Sequence, residues 1–276
     1  MGGHMSDDRI REQALVLLEA FDTARPLAPL SGSDPALTMR DAYRIAADLM
    51  GRRIARGERP IGWKIGFTNR TIWDEYDVHA PIWGVMYDTG LTVAEGAQAD
   101  CRIAHLHEPR IEPEIAFRIS RTPAPGMDEA ALLGCIDAMA HGVEIVQSPF
   151  PGWVFRPVDT MAAGALHGAY VLGPWRGLDG LDPAQLLTDL AGFALTLRCD
   201  DGTEDRGHAA NVLDGPLSAL RHFVEGLSEC PFGRAILPGD IITTGTVTRA
   251  FPVAPGQTWT TTIDGLALPG LTIRFL

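Results

Sequence analysis

The chain has 276 residues, enough for one large domain or for a domain with a small appendage. Hydrophobic residues make up 46% of it, so a sizeable core is available and a mainly disordered chain is excluded. The formal net charge of −12 at pH 7 argues against nucleic acid and against anionic membranes as partners.

Met1-Gly2-Gly3-His4 reads as an expression scar ahead of Met5. No signal peptide follows it, and no apolar run reaches the ~18 residues that a membrane helix needs. Cys101, Cys135, Cys199 and Cys230 are scattered, with no CxxC pair. A disulfide framework or a zinc site is therefore not expected, and a reducing cytoplasm fits. Of the 23 basic residues, 22 are arginine and one is lysine, Lys64. A lone lysine in an arginine-rich chain suits a role that needs a compact ammonium.

The elements are expected in the following order. Apolar spacing over 6–22 and over Met39 to about Gly57 predicts two helices, the second opened by a capping-box-like Thr38-Met39-Arg40-Asp41. Residues 1–60 form an N-terminal helical region on this reading, and 61–276 a strand-rich region. Strands are expected at Trp63–Ile65, Ile111–Ile119, Val143–Gln147, Ala169–Leu172, Phe193–Cys199, Asp240–Thr244, Thr258–Ile263 and Leu271–Phe275. Helices are expected at Arg70–Tyr76, Asp128–Met139 and Pro216–Leu227. Strands dominate without strict alternation with helices, which points to an α+β fold with a large, mostly antiparallel sheet system. No GxGxxG or Walker pattern appears, so a nucleotide cofactor has no support.

Along Ile111–Phe117 the alternation of a strand puts Glu112 and Glu114 on one face, with Ile111, Pro113, Ile115 and Phe117 on the other. Two carboxylates this close repel, and a bound hard cation such as Mg²⁺, Mn²⁺ or Ca²⁺ removes that repulsion. Pro113 has no N–H and suggests an edge or a bulge. Glu144, in a β-branched run, needs an arginine, a proton or a metal, and can complete a three-carboxylate set. The alternative is a solvated strand face, with Glu144 paired to an arginine.

Lys64 lies in I-G-W-K-I-G-F-T-N, between Gly62 and Gly66, where a buried ammonium would face an anion or snorkel at a strand end. Ala162–Gly168 places His167 in a small-residue stretch that reads as a pocket loop or a tight core turn. Gly239–Thr248 offers hydroxyls and N–H groups to an anion, with Gly245 and Thr246 as candidate substrate contacts, or is an ordinary hairpin corner. The other histidines, His141 among them, read as surface or core residues.

In order, I-G-W-K-I-G-F-T, R-I-E-P-E-I-A-F, G-V-E-I-V and G-D-I-I-T-T-G-T resemble the 2-oxopent-4-enoate hydratase and 4-oxalocrotonate decarboxylase family of the fumarylacetoacetate hydrolase superfamily. The resemblance runs from about residue 38 to the C-terminus. It implies a mixed β-roll with outer helices and a small N-terminal helical region. It also implies Mg²⁺ or Mn²⁺ held by Glu112, Glu114 and Glu144, with Lys64 as the active-site lysine. The implied activity is hydration of a 2-hydroxypenta-2,4-dienoate type of acid, by a homo-oligomer acting in aromatic-ring degradation. The alternatives are decarboxylation of a 4-oxalocrotonate type, C–C hydrolysis of an acylpyruvate, and a non-catalytic metal-binding partner subunit.

The chain departs from the family at two places. Ile82 stands in Pro81-Ile82-Trp83-Gly84 where hydratases carry an acid. Ala162-Ala163-Gly164-Ala165-Leu166 stands where Ala-Asp-Asn-Ala-Ser is usual, and the adjacent His167 is the candidate substitute acid/base or substrate contact.

Overall fold

The computed structural model describes residues 5–70, 73, 78, 80–230 and 233–276. Residues 1–4 and most of the helix expected at Arg70–Tyr76 lie outside them, as does His79. Helix α1 (Asp7–Thr23) is opened by the Ser6 side chain. A short turn, α2 (Leu30–Ser33), leads to α3 (Met39–Ala55), which the Thr38 hydroxyl caps.

The strands are β1 (Pro60–Gly66), β2 (Ile82–Tyr87), β3 (Leu91–Val93), β4 (Gln98–Cys101), β5 (Arg110–Ile119), β6 (Ile136–Val146) and β7 (His167–Leu172). They continue as β8 (Arg176–Gly177), β9 (Ala194–Cys199), β10 (Glu204–His208), β11 (Ile241–Thr243), β12 (Phe251–Pro252), β13 (Thr258–Asp264) and β14 (Thr272–Phe275). Nine of them make one sheet in the order β2-β1-β11-β5-β6-β7-β3, with β12 beside β5 and β8 beside β6. The other five form a second sheet, β10-β9-β13-β14-β4. Most neighbours are antiparallel; β1–β11, β3–β7 and β4–β14 are parallel.

The long sheet curls, so that β2 comes back against β7. Its outer face carries Trp63, Ile111, Ile115, Phe117, Val143 and Ile145 into one continuous core with α1, α3 and the helix Pro216–Ser228. Its inner face carries a smaller apolar group, Met86, Ala116, Ala140, Tyr170, Leu172 and Ile241. The remainder of the inner face is polar, and there the site lies. Mixed β-roll and outer helices are thus as the sequence led us to expect.

The segment expected as one helix over Asp128–Met139 divides. Asp128 caps a helix of Glu129–Leu133, the chain turns at Gly134, and β6 begins at Ile136. Pairing of Ile136 and Ala138–Ala140 with β5 satisfies the backbone better than isolated helix propensity could, and the alanines fit inside the roll. Pro113 sits in neither an edge strand nor a bulge. Its carbonyl accepts from Val247 N–H, so its ring nitrogen faces the same side, in the gap between β11 and β12 where no ladder bond is needed.

Candidate active site

Antiparallel pairing of β5 and β6 sets Glu112 opposite Glu144 and Glu114 opposite Gly142. One oxygen from each of the three glutamates lies within 4.8 Å of the others. Glu114 and Glu144 are wholly buried, and Glu112 is half-buried. Lys64, from β1, brings Nζ to 3.2 Å from Glu144 Oε2 and donates to the Ala165 carbonyl at 3.0 Å.

That carbonyl is aimed by an unusual backbone. Gly164, Ala165 and Leu166 run consecutively through the left-handed region, with φ of 66°, 57° and 61°. For the two non-glycine residues this costs roughly 1–2 kcal/mol each, strain typical of a binding site.

The charges are unequal: three carboxylates converge on one ammonium. Burial and then Lys64 and Glu144 set Glu112, whose carboxyl rises to about 7. Burial, with repulsion from Glu144 and Glu112, pushes Glu114 well above the usual carboxylate range. Glu144 is the exception. Burial opposes its ionisation, but Lys64 and a hydrogen bond from His167 outweigh it and hold its carboxyl low. Burial likewise opposes the charge on Lys64, and the three glutamates more than restore it.

Gly245 N–H donates to Glu114 Oε2 at 3.0 Å, while Glu114 Oε1 is buried with no hydrogen-bond partner among the described residues. Gly245 has φ of 97°, and a Cβ there would lie 1.9 Å from Thr68 Oγ1, so only glycine brings this N–H so close. An unpaired buried oxygen beside two further carboxylates is a donor set that a hard divalent cation fits.

A cavity of about 220 Å³ opens over Lys64 and Glu112. Ile82, Val146, Phe155 and Leu166 make its apolar wall, and Thr68, Asn69, Arg110, Thr246 and Arg249 bring polar groups. Arg110 stacks its guanidinium 4.2 Å above the Trp153 ring, and its charge works against the rise of the Glu112 carboxyl. Arg249 is held by Asp205 at 3.3 Å.

The structure thus gathers Lys64, Glu112, Glu114, Glu144, Gly245 and Thr246 around one centre. Both turn residues line the cavity, but their donors are engaged: the Gly245 N–H on Glu114, and the Thr246 hydroxyl on the Thr248 carbonyl at 2.9 Å. His167 stands elsewhere. Its Nδ1 lies 2.8 Å from Glu144 Oε1, and its ring borders a separate small pocket with Phe21, Leu49 and Arg53. Instead of facing a ligand as an acid/base, it supports Glu144 from behind.

His141 supports Glu114 in a comparable way. Nδ1–H donates to the Glu114 carbonyl at 2.9 Å, the Thr261 hydroxyl donates to Nε2 at 2.8 Å, and Leu271 N–H completes the chain onto Thr261. Burial pushes His141 down to about 4, so the ring is neutral. Sequence reading gave Arg110, Trp153 and His141 no role. Arg110 had a signal, since it shares the strand face of Glu112 and Glu114; Trp153 had none.

The fumarylacetoacetate (FAA) hydrolase C-terminal family matches residues 74–271. The chain is 33% identical over 264 residues to a 2-hydroxyhexa-2,4-dienoate hydratase of Comamonas testosteroni, covering 95% of this chain and 97% of that one. It is 29% identical over 248 residues to a 4-oxalocrotonate decarboxylase of a Pseudomonas species, covering 90% and 91%. Among solved structures, 4-oxalocrotonate decarboxylase from Pseudomonas putida G7, complexed with magnesium and adipate, superposes with a TM-score of 0.87 at 26% identity, over 99% of both chains. By sequence and by fold, the chain belongs to the fumarylacetoacetate hydrolase family, alongside hydratases and decarboxylases that it resembles over nearly its full length.

Proposed function

We propose that this protein is a divalent-metal lyase acting on a small 2-oxo acid in its 2-hydroxydienoate form. The observation that carries the reading is the convergence of Glu112, Glu114 and Glu144 on one point beside Lys64, under a small, largely apolar cavity. Glu112, Glu114 and Glu144 would hold Mg²⁺ or Mn²⁺. Such an ion, when bound, supplies Lewis-acid stabilisation of charge on the substrate's carboxylate and 2-oxygen.

The chain's own residues do the rest. Lys64 stays protonated among the glutamates and offers its ammonium to the developing oxyanion. The Ala165 carbonyl and Glu144 fix that ammonium in place. Ile82, Val146, Phe155 and Leu166 exclude bulk water, which strengthens each electrostatic contact.

Hydration is the first reading, in line with the hydratase relatives. Decarboxylation is favoured by two specific features. Ile82, on the cavity wall, cannot move a proton, and Arg110, stacked on Trp153 at the cavity lining, brings a cation that can meet a second carboxylate on the substrate. Adipate, named with the solved decarboxylase, is a six-carbon dicarboxylate. We further read residues 61–276 as the catalytic region behind a helical region to residue 60, and the setting as a homo-oligomer in the cytoplasm that works in aromatic-ring breakdown. The free cysteines fit that compartment. Among the described residues no helix is long and apolar enough to cross a membrane.

The test is turnover of 2-hydroxypenta-2,4-dienoate and 4-oxalocrotonate in parallel, with Mg²⁺, with Mn²⁺ and with EDTA, following ultraviolet loss and CO₂. Metal-dependent loss of either compound is expected, and CO₂ release separates decarboxylase from hydratase. No turnover of either would overturn the lyase reading.

A further inference from the structure

Tyr170 on β7 stands opposite Glu144 on β6. Two residues earlier on β6, Gly142 stands opposite Glu114 on β5. The Tyr170 ring occupies the place a side chain at 142 would take: a Cβ there would lie 2.3 Å from the phenol oxygen. The ring therefore crosses β6 diagonally, and its hydroxyl arrives beside the strand position that carries Glu114.

Tyr170 is 1% exposed, and its oxygen has no hydrogen-bond partner among the described residues. Glu114 Oε1, a lone acceptor, is unpaired in the same interior. Leaving a buried hydroxyl unpaired costs the full desolvation of that group, and phenylalanine would fill the space without that penalty. Packing alone thus leaves the hydroxyl unexplained, and unpaired buried polar groups of this kind concentrate where function needs them. Burial, and then the nearby Glu114 and Glu144 charges, hold the phenol well above its ordinary range, so it is a neutral donor.

We infer that Tyr170 is a positioning residue for the carboxylate centre, its hydroxyl donating to Glu114 when a cation draws that carboxylate into place. Glu114 Oε1 has lone pairs for both the ion and the phenol. Outer hydrogen bonds of this kind orient the ligands of metal sites. The inference rests on the metal reading above.

The experiment titrates Mn²⁺ into EDTA-stripped wild-type protein and Tyr170→Phe by calorimetry, with a thermal melt of each stripped protein. The expected result is an unchanged or higher melting temperature for Tyr170→Phe, because the unpaired hydroxyl is gone, together with Mn²⁺ affinity weakened about 10-fold. Wild-type affinity in Tyr170→Phe would overturn the inference alone and make Tyr170 a packing residue. A wild-type protein that binds no Mn²⁺ would instead overturn the metal reading, and this inference with it.

Discussion

In the five-stranded sheet the charges lie outside. Arg198–Glu204, Arg206–Asp264 and Arg274–Asp100 are exposed pairs, while Leu195, Leu197, Trp259, Ile273 and Phe275 fill the core side. In the nine-stranded sheet Lys64, Glu114 and Glu144 point inward and are almost wholly buried. A chain that segregates charge so well in one sheet has the means to do so in the other. The buried cluster therefore marks a place where stability gives way to chemistry. His141 and Thr261 stitch the two sheets together at that place.

The largest expected effect comes from removing the buried ammonium at the centre of the site. Lys64→Met should lower turnover by about 10³-fold or more and destabilise the EDTA-treated protein by about 3–5 kcal/mol, since Glu144 loses its counter-charge. Near-native turnover would erase the contrast between the sheets as a functional one. Next, Glu144→Gln should weaken Mn²⁺ binding by about 100-fold or more while circular dichroism stays native, because a carboxylate ligand has become a neutral amide. Calorimetry with intact affinity would remove Glu144 from the donor set.

The stitch between the sheets gives a pH signature. The folded pKa of His141, about 4, lies below the ordinary 6.5. Below 6.5 the unfolded chain takes up a proton that the folded chain refuses. This contribution is complete above that pH and is lost as pH falls from about 6.5 to about 4, amounting to about 3 kcal/mol. Urea melts across that window should show the slope, and His141→Asn should flatten it; an equal slope in both would mean that the ring is not a buried neutral link. The smallest effect belongs to the outer pairs. Arg274→Ala should change stability by less than about 0.5 kcal/mol in the same melts, and a larger loss would blur the division between the two sheets.

The alternation of Ile111–Phe117 made the Glu112/Glu114 face legible in the sequence, and Glu144 stood out as a lone charge in an apolar run. What the sequence concealed depended on partners distant along the chain. Ile136–Met139 reads as helix until β5 is there to pair with it. His167 could be placed in a loop, but only the fold shows that its ring meets Glu144 from behind and not from the cavity. Gly142 carries no signal at all, because its need for hydrogen in place of a side chain is set by a ring arriving from β7.

Lys64, finally, is the only lysine of the chain and is 2% exposed. The single lysine amine is thereby kept from bulk solution and meets it only across the cavity over Glu112. An amine-directed acylating reagent small enough to enter that cavity would find it there, and a bulky one would not. The rate at which Lys64 becomes acylated thus reports occupancy of the site itself, from a residue that needs no engineered label.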